Sequence, residues 1–365
     1  MPQPHGLIDW IARPATLAEL DVSGWERALA FGRRHGLSGR WYPALEAAGL
    51  LDALPEGVRR HLWSDHLVAA DRVRSVRWEI NRIRHALAEP GLEPVLLKGA
   101  AYIASGLAPG NCRMVSDVDI LVPYQALPAV ERALNAHGWR QTPHDEYDER
   151  YYREWMHELP PFQHGIRGTS LDVHHNILPR TSALCPDAEA LLRRARPLEE
   201  TGCRVLEPAD MVMHSVLHGF YGGEFLNCFR DVLDVRELCA EFAARDADFW
   251  ARLGERALEL RAAAPLWLAL RETRRFPGDG APATLLARLR RAAGLWPTGP
   301  LVDRLISHSF LPALPPSAGQ RLALTALLAR SHWVKMPLSI LLPHLWRKTA
   351  ARLRQRFDAT DAEPG

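Results

Sequence analysis

Two aspartates one residue apart, Asp117 and Asp119, lie in the apolar run Val118, Ile120, Leu121 and Val122. An extended chain sends alternate side chains to opposite faces, so an i, i+2 pair projects to one side at neighbouring depth. Two anions held that way repel unless a cation lies between them. Upstream, Val95-Leu96-Leu97 runs into Lys98-Gly99 and then a helical stretch, whose first backbone N–H groups are able to face a phosphate. Together these residues suit a metal-bound nucleoside triphosphate.

Phosphoryl and nucleotidyl transfer ask little covalent chemistry of a protein. The work is to place the attacking and leaving oxygens and to offset charge on phosphorus. Two divalent cations do this when two bridging carboxylates and a third hold them. Mg²⁺ prefers oxygen ligands and keeps several waters, so a few aspartates suffice. Asp172 is the third carboxylate, on a strand read from Ser170 to Ile177, and it shares a face there with His174.

These residues need a sheet to hold them and helices to cover it. From Leu17 to about Pro90 the pattern is helical, with Ser23 as a cap for a helix through Gly36. After Pro55, Leu62, His66, Ala69, Val73, Val76, Ile80, Ile83 and Leu87 recur at three- and four-residue steps. The arginines between them, Arg72, Arg74, Arg77, Arg82 and Arg84, read as a solvated face. Pro90-Gly91 breaks the helix. Short strands at Val95–Leu97 and Val118–Val122 follow, with a helix from Gly99 to Ser105 and a loop from Gly106 to Asn111 between them. A helix from Leu127 to His137 stops at Gly138. The segment His144 to His164, rich in Tyr and Trp, reads either as a strand pair or as a flap. Beyond Pro179 the pattern is helical and stays so: Asp210–Tyr221, Phe225–Ala243, Phe249–Arg274, Thr284–Ala293 and Leu322–Ala329. Arg274 to Ala283 and Trp296 to Pro300 read as connectors. A last helix from about Leu338 to Phe357 is apolar first and basic afterwards.

The set Leu97-Lys98-Gly99, Arg113, Ser116-Asp117-Val118-Asp119-Ile120-Leu121-Val122 and Leu171-Asp172-Val173-His174 resembles the polymerase-β-type nucleotidyltransferase superfamily. Within it the set is most similar to the bacterial uncharacterised nucleotidyltransferases with Lys-Gly, Arg-x-x-Ser/Thr-Asp-x-Asp and Asp-x-His motifs. The resemblance covers roughly residues 90 to 240. It implies an α+β fold: a small mixed sheet flanked by helices, with N-terminal helices and a large C-terminal helical region. It implies metal binding by Asp117, Asp119 and Asp172, with Mg²⁺ or Mn²⁺ as cofactor and an NTP as donor. Lys98, Gly99, Arg113 and Ser116 are then the nucleotide-binding candidates, with Arg113 either meeting the triphosphate or locking Asp119. The superfamily usually has Gly-Ser at its phosphate turn, whereas this chain has Gly99-Ala100, which leaves Lys98 to compensate. His174, His214 and Asp231 are further cleft candidates, because in the resembling family the helical region that carries the last two packs beside the nucleotide domain. His214 and His218 have zinc-pair spacing on a helix, but no Glu follows His214 and no third ligand is evident.

The expected organisation is a helical subdomain over 1–90, the nucleotidyltransferase-like domain over 91–200, a helical domain over 201–357 and a disordered tail over 358–365. Net charge is +2 with a pI near 8.3, which gives no electrostatic footprint for a nucleic-acid template. Lys98 is one of only three lysines, with Lys335 and Lys348. The five cysteines form no metal-knuckle spacing and suit a reducing, cytoplasmic setting. No secretory pattern opens the chain and no apolar run reaches the ~18–20 residues of a membrane span. The function these features point to is transfer of NMP from an NTP, ATP being the expected donor. The acceptor is a hydroxyl or phosphate on a small molecule, a peptide natural product or a protein. The rival is an accessory protein of the same fold that binds a nucleotide or partner without turnover.

Overall fold

A computed structural model describes residues 4–347 except 144, 145, 200, 223, 224, 226, 227, 279, 295–298, 311–315, 344 and 345. Seven strands form one mixed sheet: β1 (Val95–Leu97), β2 (Asp117–Leu121), β3 (Trp139–Gln141), β4 (Phe162–His164), β5 (Ser170–His174), β6 (Arg196–Leu198) and β7 (Cys203–Val205). Their order is β3-β4-β5-β2-β1-β7-β6. At the centre β2 runs parallel to β5 and antiparallel to β1, and β1 runs parallel to β7. The two strands with carboxylates are therefore neighbours. Val118, Ile120, Leu171 and Val173 are buried on the opposite face, which fixes register, since a slip of one residue would turn the aspartates into the core.

Helices cover the sheet, and the fold is α+β as expected. The helix Glu56–Ala88 buries Leu62, Ala69, Val76, Ile80, Ile83 and Leu87. Its arginines Arg72, Arg74, Arg77 and Arg82 are exposed and Arg84 is half-buried. One apolar core joins this helix, the sheet and the C-terminal helices as far as Leu327. A second gathers Trp10, Leu17, Trp25, Trp41, Leu45 and Leu62 near the N-terminus.

Several local expectations are corrected. Asp21, and not Ser23, caps the helix Val22–Arg34: its carboxylate accepts from the Gly24 N–H at 2.7 Å, and the Ser23 hydroxyl donates to the same oxygen. The His144–His164 segment is no strand pair. It runs as a helix over Glu146–Arg150 and a π-helical turn over Tyr151–Trp155 before β4. The helical reading beyond Pro179 is interrupted by the β6–β7 hairpin, whose three-residue strands are too short to show a period. The Phe249–Arg274 pattern divides into Phe249–Glu259 and Ala263–Thr273, with Arg261 between them at φ 55°. A helix at Gly299–Ser309 was not expected, and Leu322–Ala329 lies inside a longer helix, Ala318–Lys335. Most of the last basic helix and the whole tail lie outside the described residues.

The helix Pro208–Val216 carries His214 and is anchored at its first turn by charge. Asp210 is fully buried and accepts from Arg194 Nε at 3.0 Å and from Arg256 Nε, while Glu207 caps the helix through the Ala209 N–H. Asp210→Ala should lower stability by about 1–3 kcal/mol, since the buried Arg256 would keep only the exposed Glu259, 2.9 Å from its Nη1, while the more exposed Arg194 loses less. Denaturant unfolding that moves by less than about 0.5 kcal/mol would contradict this role for Asp210.

Candidate active site

The register of β2 on β5 places Asp119 directly beside Asp172, and Asp117 beside Ser170. Strand alternation then puts Asp117, Asp119, Asp172 and His174 on one face of two adjacent strands. Asp119 is buried, whereas Asp117 and Asp172 are half-buried. The ligand atoms of Asp119, Asp172 and His174 lie within 4.8 Å of one another.

Two cationic or polar donors converge on one oxygen of Asp119. Lys98 Nζ lies 2.7 Å from Oδ1, and His174 Nε2 donates to the same atom at 2.9 Å. Burial disfavours charge on both members of the Lys98–Asp119 pair. Their mutual attraction outweighs that cost and holds the lysine above, and the carboxyl well below, its usual range. Asp172 has no such cation among the described residues. Burial, then the charges of Asp119 and Glu158, push its pKa up to about 7. Burial and Asp119 also raise that of Asp117, which accepts a hydrogen bond from Ser116 Oγ at 3.1 Å. A crowded set of oxygen donors with one lysine among them is short of positive charge. It fits Mg²⁺ or Mn²⁺ in donor type.

Backbone strain marks the same point. Lys98 has φ 43°, in the left-handed region that costs a non-glycine residue about 1–2 kcal/mol. The strain accompanies the turn from β1 into the helix Lys98–Ala104. Gly99 is buried there, and a Cβ on it would come within 3.0 Å of Val115 and 3.1 Å of Arg113 Nε. Its missing side chain thus admits the Arg113–Val115 segment.

Arg113 is paired with Asp234, its Nη1 lying 2.8 Å from Oδ1 and 2.7 Å from Oδ2, and not with Asp119 as one of the two expectations had it. Its guanidinium also lies over the Tyr102 ring. Asp234 takes a second bond from Arg230 Nε at 3.2 Å, and Arg230 donates to the carbonyls of His35 and Gly36. Arg40 ties the same loop down by donating to the carbonyls of Ala108, Pro109 and Asn111. Gly110 packs so tightly on the Lys98–Ala104 helix that a Cβ would lie 2.7 Å from Ile103 N.

His214 is buried, and burial followed by the Lys98 charge keeps it neutral, its pKa well below the usual value. His218, in a π-helical turn over Leu217–Tyr221, is exposed. Asp231 packs against Gly219 of that turn, and burial and then Asp234 raise its pKa to about 7.

Asp234, Arg230, Arg40, His157 and Glu158 were not singled out from sequence. A signal existed for Arg230 and Asp234: charged residues four apart among the apolar positions of one helix face declare a buried pair. Nothing in the chain marked His157 and Glu158, which reach the site because Glu158 bridges to His174 through backbone.

A mixed sheet with Asp-x-Asp on one strand, a third aspartate in register on the strand to one side, and Lys-Gly at the turn after the strand on the other side defines a nucleotidyltransferase-type protein. The chain belongs to the family described as uncharacterised nucleotidyltransferase, whose family model matches residues 21–278. Membership supports transferase chemistry with an NTP as substrate and divalent metal as the usual cofactor. No curated protein and no solved structure matches the chain. Among the described residues no helix is long and apolar enough to cross a membrane.

Proposed function

We propose that the protein transfers NMP from an NTP, with ATP as the expected donor, to a hydroxyl or phosphate acceptor on a small molecule, peptide or protein. The observation that carries this is the in-register pair Asp119 and Asp172 on parallel strands, with Asp117 on the same face and one lysine among them. Asp117, Asp119 and Asp172 would hold Mg²⁺ or Mn²⁺. When bound, the metal lowers the pKa of the attacking hydroxyl and offsets charge on the triphosphate.

The protein's own groups do the positioning. His174 donates to Asp119 Oδ1 and fixes which way the carboxylate faces, and Ser116 does the same for Asp117. Lys98 presents a positive charge beside the carboxylates, 2.7 Å from Asp119 Oδ1. Exchanging Asp119 for a triphosphate oxygen would let it follow negative charge toward the leaving group. The Arg113–Asp234 pair holds the loop before β2 in place.

Two labels test this. With the α-phosphate labelled and a dialysed cell extract as acceptor source, label should pass to an acceptor. With the γ-phosphate labelled, it should leave as pyrophosphate. Transfer of the γ-label to an acceptor would make the protein a kinase and overturn the assignment. One observation favours the accessory alternative, the Lys98 ammonium seated on Asp119. For that reading, NTP binds and neither label moves.

A further inference from the structure

The geometry points to a second metal site at His157, Glu158 and His174, adjoining the carboxylate site and taking a borderline-soft divalent cation of the Zn²⁺ class. Glu158 Oε2 lies 3.5 Å from His174 Nε2 and 3.8 Å from His157 Nε2. Both separations are too long for good hydrogen bonds. They are close to the roughly 3.3 Å edge of a tetrahedron whose bonds are those of zinc to imidazole and carboxylate, and somewhat wider than it. By contrast His174 Nε2 and Asp119 Oδ1, at 2.9 Å, are at hydrogen-bond distance and describe one ligand with its supporting partner.

The donor set and its surroundings agree with this choice. Two imidazoles and one carboxylate suit zinc and its neighbours, whereas Mg²⁺ prefers oxygen alone. His157 and His174 lie with ring centroids 5.3 Å apart, and His174 is wholly buried. The Nδ1 atoms of both rings are buried and have no hydrogen-bond partner among the described residues. No acceptor therefore pins the proton of His157 to one nitrogen, and its Nε2 is able to present a lone pair toward Glu158.

A consequence follows for the carboxylate site, and it rests on the proposed nucleotidyl transfer. A cation on His174 Nε2 takes the nitrogen that donates to Asp119. The proton on Nε2 is lost to solvent or moves to Nδ1, and Asp119 loses the bond that orients it. Occupancy by Zn²⁺ should therefore inhibit NMP transfer.

Co²⁺ titration of the full chain reads the site without any turnover. Visible d–d absorption of four-coordinate intensity is expected, insensitive to excess Mg²⁺ and displaced by Zn²⁺. His157→Ala should weaken Co²⁺ binding by at least about 10²-fold, since losing a ligand costs more than losing its supporting contact. Glu158→Gln should weaken it as well, and Asp172→Asn should leave the absorption in place. Circular dichroism of each variant confirms that it is folded, and His157→Gln replaces any variant that is not. Absence of the absorption overturns the site. So does its persistence in folded His157 variants, or its loss in Asp172→Asn or on adding Mg²⁺. If the absorption behaves as expected but the protein moves no NTP label, the metal site stands and the nucleotidyl assignment falls.

Discussion

Asp119→Asn should reduce NMP transfer by at least about 10³-fold, equivalent to roughly 4 kcal/mol of transition-state stabilisation. Asp119 is the buried member of the acidic set, faces Asp172 across the strand pair, and receives both Lys98 and His174 on one oxygen. An amide there keeps the shape and removes the charge on which a divalent cation depends. Mg²⁺ should then lose most of the thermal stabilisation it gives the wild-type protein, because a ligand stabilises only in proportion to its binding. The substitution also removes the counter-charge of Lys98, so the metal-free variant should be less stable by about 1–3 kcal/mol. A variant with unchanged transfer and an unchanged Mg²⁺ response in thermal melts would remove Asp119 from the site.

Lys98→Met and Lys98→Gly should both lower transfer by about 10²–10³-fold, the scale of losing one charge-stabilising donor. Their stabilities should differ in an informative way. Either change strips Asp119 of the Lys98 ammonium. Lys98 is itself 25% exposed, so the loss should be nearer 1–3 kcal/mol than the full value for a buried pair. Glycine also relieves the φ of 43°, and Lys98→Gly should therefore be more stable than Lys98→Met by about 1 kcal/mol. In both variants Mg²⁺ should raise the melting temperature more than in wild type, since the metal no longer competes with an ammonium for Asp119. Equal melts for the two variants would show that the backbone strain is not carried by this residue. A smaller Mg²⁺ response than in wild type would show that Lys98 assists the metal and does not compete with it.

The carboxylate site was legible in the chain because strand alternation is a strong local rule. An i, i+2 aspartate pair inside apolar residues must face one way, and Asp172-x-His174 repeats the pattern on the strand that pairs with it. The long helix Glu56–Ala88 was legible for a similar reason, its period running over nine turns' worth of chain. Strands of three residues carry no period: β1 was read from its wholly apolar run Val95-Leu96-Leu97, whereas β3, β6 and β7 mix polar and apolar residues and gave no such mark, and β7 is the one that extends the sheet beyond β1. Arg113 shows a different limit. The resemblance left it either to meet the triphosphate or to lock Asp119, and the buried carboxylate of Asp234, 121 residues later, holds it instead. His157 and Glu158 lie in a segment whose aromatic and charged residues fit more than one backbone. Their meeting with His174 depends on backbone pairing between two stretches, the Glu158–His174 bridge with the Leu159 N–H on the Val173 carbonyl and the His175 N–H on the His157 carbonyl, and no local pattern specifies that.

The most direct measurement follows transfer of an α-phosphate label from ATP to acceptors in dialysed extract as Mg²⁺ is raised, using wild-type protein and Asp172→Asn side by side. Among the described residues Asp172 has no ion pair, and it joins Asp119 from a separate strand. The expected result is transfer that rises with Mg²⁺ in the wild type, stops when the metal is chelated, and falls by about 10²-fold or more in Asp172→Asn at every Mg²⁺ concentration. Transfer that persists under chelation, or that proceeds undiminished in Asp172→Asn, would contradict the account.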